Sequence, residues 1–168
     1  MKIIYLSNAI VPSPSANSVH VMKMCSAFSQ ITATSLFAIR GDEDKDCFQF
    51  YDVKKTFNLI LCKKLPNLLG SVVYLFRMLL SVKYDAHNVF YGRHTIALLL
   101  LSLARKTVAY ESHALPASRF RKLIERLMFG QPNFNKLIVI SKALKMDYLS
   151  MFPELGSESI VVAHDAAD

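Results

Sequence analysis

The chain has 168 residues, about one domain, and with 52% hydrophobic and 20% charged residues it reads as globular rather than disordered. A formal net charge of +7 and a pI near 9.4 favour an anionic partner, whether nucleic acid, a phosphorylated substrate or an anionic membrane surface, without choosing among them. Cys25, Cys47 and Cys62 are odd in number and too scattered for a disulfide framework or a C-x-x-C metal knuckle, which points to a reducing compartment.

In chain order, the first expected strand covers residues 2–6. Its apolar run is too short for a signal peptide and is interrupted by Ser7-Asn8, so the chain is expected to stay in the cytoplasm. The loop expected over 7–18 contains no glycine, which excludes both the G-x-G-x-x-G turn of NAD and FAD folds and the P-loop. Ser15, Asn17 and Ser18 open a helix expected over 18–30. They either only cap it or leave its free N–H groups to receive an anion. His20, just inside that helix, is read two ways, as a ligand contact or as an ordinary packing residue.

A second strand is expected over 32–38, a charged surface loop over 41–46 ("GDEDKD"), a third strand over 57–61 and a helix over 66–82. The apolar stretches 65–82 and 96–104 are, respectively, interrupted by Pro66, Asn67, Gly70 and Arg77 and only nine residues long. Neither meets the roughly 20 apolar residues that a membrane span requires.

The fourth strand, 88–91, runs into Gly92-Arg93-His94, where a guanidinium can read a phosphate or carboxylate with a planar fork, or the segment is a solvated turn. After a helix over 95–103, a fifth strand over 107–111 ends in "ESH". Glu111 and His113, two apart, point to the same side of an extended chain. The carboxylate can hold the imidazole's tautomer or form a charged couple with it, or the pair is a structural hydrogen bond.

The helix expected over 116–129 carries Arg119, Lys122 and Arg126 at i, i+3 and i+7 with Arg121 beside them, a solvated face or a patch for anionic lipid. A strand over 136–140, a helix over 141–151 that begins with Ser141-Lys142, and a strand over 159–163 complete the series. The tail from His164 to Asp168 reads as an interruption between domains.

Continuous apolar strands such as "KLIVI" and "SIVVA" lack polar alternation, so both sheet faces are expected to be covered. The expected fold is α/β, a Rossmann-like doubly wound parallel sheet of about seven strands spanning 1–168 without an internal boundary. Ligands on such sheets gather beyond the strand carboxyl ends, near the point where strand order reverses. The histidines, at 20, 87, 94, 113 and 164, show no metal-ligand spacing. There is no G-x-S-x-G elbow and no signature of a nucleic-acid module.

Five segments, "IIYLSNAIVPSPSANSVHVMKMCSAF", "NVFYGRH", "TVAYESH", "NKLIVISKALKMDYL" and "ESIVVAHDAAD", together resemble, in matching order over nearly the whole chain, the amino-terminal domain of retaining GT-B glycosyltransferases of family 4, also called group 1. The resemblance implies a cytoplasmic two-domain enzyme, possible inner-face membrane contact, and a role in cell-envelope polysaccharide or glycolipid synthesis. This half would bind the hydroxyl acceptor. The other half, with its paired glutamates separated by seven residues, is not found in this sequence and would bind the nucleotide-sugar donor. His113 would line the reaction centre, positioned by Glu111, and the segment Ser15, Ala16, Asn17 and Ser18 would approach the donor diphosphate. Ser141 and Lys142 would face the cleft, with His20, Arg93 and His94 as further substrate contacts. No metal and no cofactor beyond the nucleotide-sugar co-substrate are implied. Ala16-Asn17 stand where family members commonly carry a Gly pair. The alternative reading is a non-catalytic Rossmann-like module that docks on a partner supplying the donor half.

Overall fold

The computed structural model describes residues 1–42, 45–63, 67–81 and 87–163, with only the backbone described for 67–71 and 81. Seven parallel strands with flanking helices make a Rossmann-like α/β fold, as expected. The chain divides into two compact units, Met1–Val89 and Phe90–Asp168. The division falls inside a strand, β4 (Asn88–Gly92), where no change of composition accompanies it, which is why the sequence shows no boundary.

In the first unit the strand order is β3-β2-β1, formed by β1 (Lys2–Val11), β2 (Ala33–Arg40) and β3 (Asn58–Cys62). Central β2 is buried from Thr34 to Ile39, as a strand covered on both faces must be. β1 is longer than the expected 2–6. Its register against β2 shifts between Leu6 and Ile10, and the polar Ser7 and Asn8 sit inside this irregularity rather than in a loop. The cause is local: Ser7 Oγ accepts from the Ala9 N–H at 3.0 Å, diverting the ladder, while Tyr74 donates its hydroxyl to the Ser7 carbonyl at 2.7 Å. The loop expected over 7–18 therefore shrinks to residues 12–15.

Helix α1 (Ala16–Ser29) buries Ser18, Val21, Met22 and Cys25, one face at helical spacing. A short helix the sequence reading lacked, α2 (Cys47–Phe50), follows the charged loop. Asp46 caps it by accepting from the N–H groups of Phe48 and Gln49 at 2.8 and 3.2 Å. Four residues carry too little periodicity to announce themselves. Residues 43 and 44 of the "GDEDKD" loop lie outside the described residues. So do the ends, 66 and 82, of the helix seen as α3 (Asn67–Ser81). Among the described residues, no helix is long and apolar enough to cross a membrane.

In the second unit, β4, β5 (Thr107–Ser112), β6 (Phe134–Val139) and β7 (Ile160–Val162) follow one another in the sheet. They carry α4 (Thr95–Leu103), α5 (Arg119–Phe129) and α6 (Lys142–Met151). β6 begins two residues earlier than expected because Phe134 pairs with Val108. α5 starts at Arg119 rather than Pro116, since Ser118 takes the cap and its Oγ accepts from the Arg121 N–H at 3.1 Å. The core centres on Phe129, whose ring lies 5.0 to 6.3 Å from Phe134, Phe152, Tyr110 and Tyr148. The tail 164–168, including His164, lies outside the described residues.

Candidate functional site

A polar cluster of the second unit forms where β4 and β5 end. Tyr91 and Arg93 flank Gly92, which has φ 140°, a region that strains any residue with a Cβ. Both neighbours reach the carboxylate of Glu111. Tyr91 donates its hydroxyl to Oε2 at 2.8 Å, and Arg93 donates through Nε and Nη2 to Oε1 at 2.9 and 2.5 Å. His113 Nε2 lies 2.7 Å from that same Oε1 and 2.5 Å from Arg93 Nη2. The Glu111 side chain is 3% exposed, against 23% for Arg93 and 26% for His113. A buried carboxylate thus forms the floor, and a guanidinium and an imidazole stand on it toward solvent.

The two contacts at His113 Nε2 are alternatives. With a proton, Nε2 donates to Glu111 and meets the Arg93 N–H groups as a competing donor; without one, it accepts from Arg93 and turns a lone pair toward the carboxylate. The tautomer decides which of the two partners Nε2 bonds. The cluster sets an imidazole beside a fixed cation, an arrangement suited to guiding a hydroxyl and an anionic group together.

A second network braces the turn that carries His113. Tyr148 Oη donates among Ser112 Oγ at 2.8 Å, Glu125 Oε2 at 3.1 Å and the Ala114 carbonyl at 3.3 Å, while Ser112 Oγ donates to Ala114 O at 2.8 Å. Below it, Tyr110 donates to Glu125 Oε1 at 2.9 Å. Arg121 donates to Tyr110 Oη at 2.8 Å and to Glu125 Oε1 at 3.0 Å. Burial raises the Glu125 pKa above the ordinary carboxylate value, against the opposing pull of Tyr110, Arg121 and Tyr148. Burial likewise pushes both tyrosines upward, so they keep their protons and remain donors. Residues on both sides of His113 are therefore tied to α5 and α6. Sequence reading passed over Tyr91, Tyr110, Glu125 and Tyr148, and met Ser112 only as part of the "ESH" strand end. The available signals were the i, i+4 spacing of Arg121 and Glu125 and the alternation of Tyr110 and Ser112 with Glu111.

This corrects the expected basic patch. Arg121 does not stand with Arg119, Lys122 and Arg126, because the buried carboxyl group of Glu125 one turn on accepts from its guanidinium. Lys122 and Arg126 lie over the Phe152 ring at 5.8 and 5.7 Å, and Arg126 pairs with Glu154 at 2.8 Å.

Three of the other candidate residues, Ser15, His94 and Ser141, serve as helix caps. Ser141 Oγ accepts from the Leu144 N–H at 3.1 Å, with Lys142 exposed beside it. His94 Nδ1 accepts from the Ala97 N–H at 3.3 Å to cap α4. In the first unit, Ser15 caps α1, accepting from the Ser18 N–H at 3.3 Å. Ser18 Oγ donates to the Ile10 carbonyl at 2.7 Å and accepts from Ser15 Oγ at 2.7 Å. Ser18 is wholly buried, which corrects its assignment as a substrate contact. Ala16 and Asn17 are exposed in the first turn of α1, and His20 is half-buried one turn further on. The preceding loop is held by Tyr51, whose hydroxyl accepts from the Ser13 N–H at 2.7 Å and donates to its carbonyl at 2.8 Å. None of Cys25, Cys47 and Cys62 forms a disulfide, and burial raises Cys47 and Cys62 away from thiolate chemistry.

No protein-family model matches the chain, and no curated protein matches it by sequence. Solved structures do match in fold. HepE of Anabaena, in complex with UDP and glucose, has a TM-score of 0.63 at 18% identity, covering 100% of this chain and 45% of its own. The lipopolysaccharide outer core galactosyltransferase WaaB has a TM-score of 0.62 at 14% identity, covering 99% and 46%. UDP-GlcNAc 2-epimerase from Neisseria meningitidis, bound to UDP-GlcNAc, has a TM-score of 0.65 at 12% identity, covering 96% and 45%. The chain thus has the fold of one half of a GT-B protein and spans slightly under half the length of each of these structures.

Proposed function

We propose that this chain is the amino-terminal, acceptor-side half of a retaining glycosyltransferase of family 4 that uses a nucleotide-sugar donor. The observation that carries the reading is the Arg93–Glu111–His113 cluster at the strand carboxyl ends, the edge of an open α/β sheet where ligands bind. The fold supports nucleotide-sugar chemistry, since two of the similar structures hold UDP or UDP-GlcNAc. It does not choose between transfer and epimerisation. The cluster favours transfer, because an imidazole on a carboxylate floor can guide an acceptor hydroxyl.

In the proposed reaction the bond between the sugar's anomeric carbon and the diphosphate oxygen breaks, and a bond to the acceptor oxygen forms on the same face. The nucleoside diphosphate leaves with the bonding electrons, and the acceptor proton passes to it or to solvent. His113 orients sugar and acceptor, and Glu111 fixes the imidazole. Ser15, Ala16 and Asn17 stand at the α1 start that would meet the diphosphate. The partner half binds the donor, and no metal takes part. The acceptor is a glycan or lipid-linked hydroxyl of the cell envelope, met in the cytoplasm with peripheral contact at the inner face of the membrane.

The test is nucleoside diphosphate release by the full-length protein from a set of nucleotide sugars with glycan and lipid-linked acceptors, with product anomeric configuration read by NMR. Transfer with retention is expected. An inverted product refutes retention, and 2-epimer formation without transfer refutes the reading.

A further inference from the structure

In the second unit, α4 and α5 pack against each other and leave an outer surface that the core does not use. On α5, Phe120, Leu123 and Leu127 are 67, 52 and 48% exposed, a single row at helical spacing. On α4, Ile96, Leu100 and Leu103 form a second row, 40 to 56% exposed. The same helices bury Ala97, Leu98 and Leu101, and Ile124, Met128 and Phe129, on their other sides. One exposed leucine is ordinary, whereas two rows of large apolar side chains on adjoining helices mark a surface that meets something.

The charge pattern identifies what. At 100° per residue, the sector of α5 next to its apolar row holds Arg119, Lys122 and Arg126. Arg105 and Lys106 follow the end of α4. From residue 95 to 129 the acidic residues are Glu111 and Glu125, both buried and engaged inside the fold. The exposed face of these helices is thus hydrocarbon beside cations, and the acidic side chain that meets it, Glu154 on Arg126, comes from outside the two helices and offsets one of the charges. A second copy of the chain would set like charges against each other. An anionic bilayer offers both complements in adjacent layers, acyl chains and phosphate.

We propose that α4 and α5 dock on an anionic lipid bilayer, with Phe120, Leu123 and Leu127 entering the headgroup boundary and Arg119, Lys122 and Arg126 lying at phosphate level. This gives a location to the peripheral contact in the proposed function and does not depend on its chemistry, so vesicle binding and sugar transfer can fail separately.

The test is co-sedimentation of the full chain with vesicles of phosphatidylcholine alone and of an equal mixture with phosphatidylglycerol. Binding to the anionic vesicles is expected to be at least about tenfold tighter, on the worth of the net surface charge that Arg119 and Lys122 leave once Glu154 offsets Arg126. Combined Phe120→Ser, Leu123→Ser and Leu127→Ser substitution is expected to weaken it by about tenfold or more with circular dichroism unchanged. Combined Arg119→Gln, Lys122→Gln and Arg126→Gln substitution is expected to erase the preference for anionic lipid. Since the chain has no tryptophan, Phe120→Trp places a sole indole on the face, and its emission should shift to the blue only with anionic vesicles. Equal binding to both vesicle types, no binding, or full binding by the triple serine variant would overturn the proposal. A dimer that the serine variant turns into a monomer would overturn it too, by assigning the face to a second copy.

Discussion

His113 Nε2 and Glu111 Oε1 meet at 2.7 Å at the carboxyl end of β5, with the carboxylate buried and the imidazole a quarter exposed. The imidazole is thus held from beneath by a group that solvent does not reach. In the full-length enzyme, His113→Ala is expected to lower kcat at least about tenfold, equivalent to about 1.4 kcal/mol of transition-state stabilisation. Steady-state kinetics check this. Turnover at the parental rate would remove His113 from the reaction centre.

Arg93 supplies the principal positive charge over the Glu111 carboxylate. Arg93→Ala leaves a buried carboxylate without that cation and is expected to cost about 3 kcal/mol of stability. Arg93→Lys keeps the charge but loses the two-nitrogen grip on Oε1, at about 1 kcal/mol. Urea unfolding of the three proteins should rank them in that order, and an alanine variant as stable as the parent would show that the pair contributes nothing.

Glu125 gives the stability a pH dependence of definite sign. Its folded pKa is raised, so the native state holds a proton that the unfolded chain has released once pH passes the ordinary value of 4.5. Its contribution is complete below that value and is lost as pH rises through the raised folded pKa. Thermal unfolding of the parent and of Glu125→Gln as a function of pH should therefore show the parent losing ground from about pH 4.5 upward. A gap that stayed flat, or moved the other way, would contradict the assignment.

In the first unit, Tyr51 satisfies both the N–H and the carbonyl of Ser13 with one hydroxyl. Tyr51→Phe should cost about 1 kcal/mol in urea unfolding, the usual net worth of such bonds when water replaces part of what is lost. It should also speed amide exchange at Ser13. Unchanged exchange there would show that the loop is shaped by other contacts.

Among the described residues, local pattern alone was enough to determine the alternation of seven strands and five of the six α-helices. Continuous apolar runs favour buried strands and helical spacing favours amphipathic helices, whatever lies beyond the segment. Ser15 and Ser141 were legible as helix starts for the same reason, since a hydroxyl and the N–H three residues on are neighbours in any helix. The pairing of Glu111 with His113 was also within reach, because two residues apart on a strand share a side. Only the folded chain decided that Arg93, eighteen residues away, would complete that pair, and that Tyr148, thirty-six away, would brace Ser112. It likewise decided that Arg121 would turn inward while its basic neighbours stayed out. Burial makes the difference: a carboxylate removed from water must draw its partners from whatever the packing brings near, and sequence separation sets no limit on that.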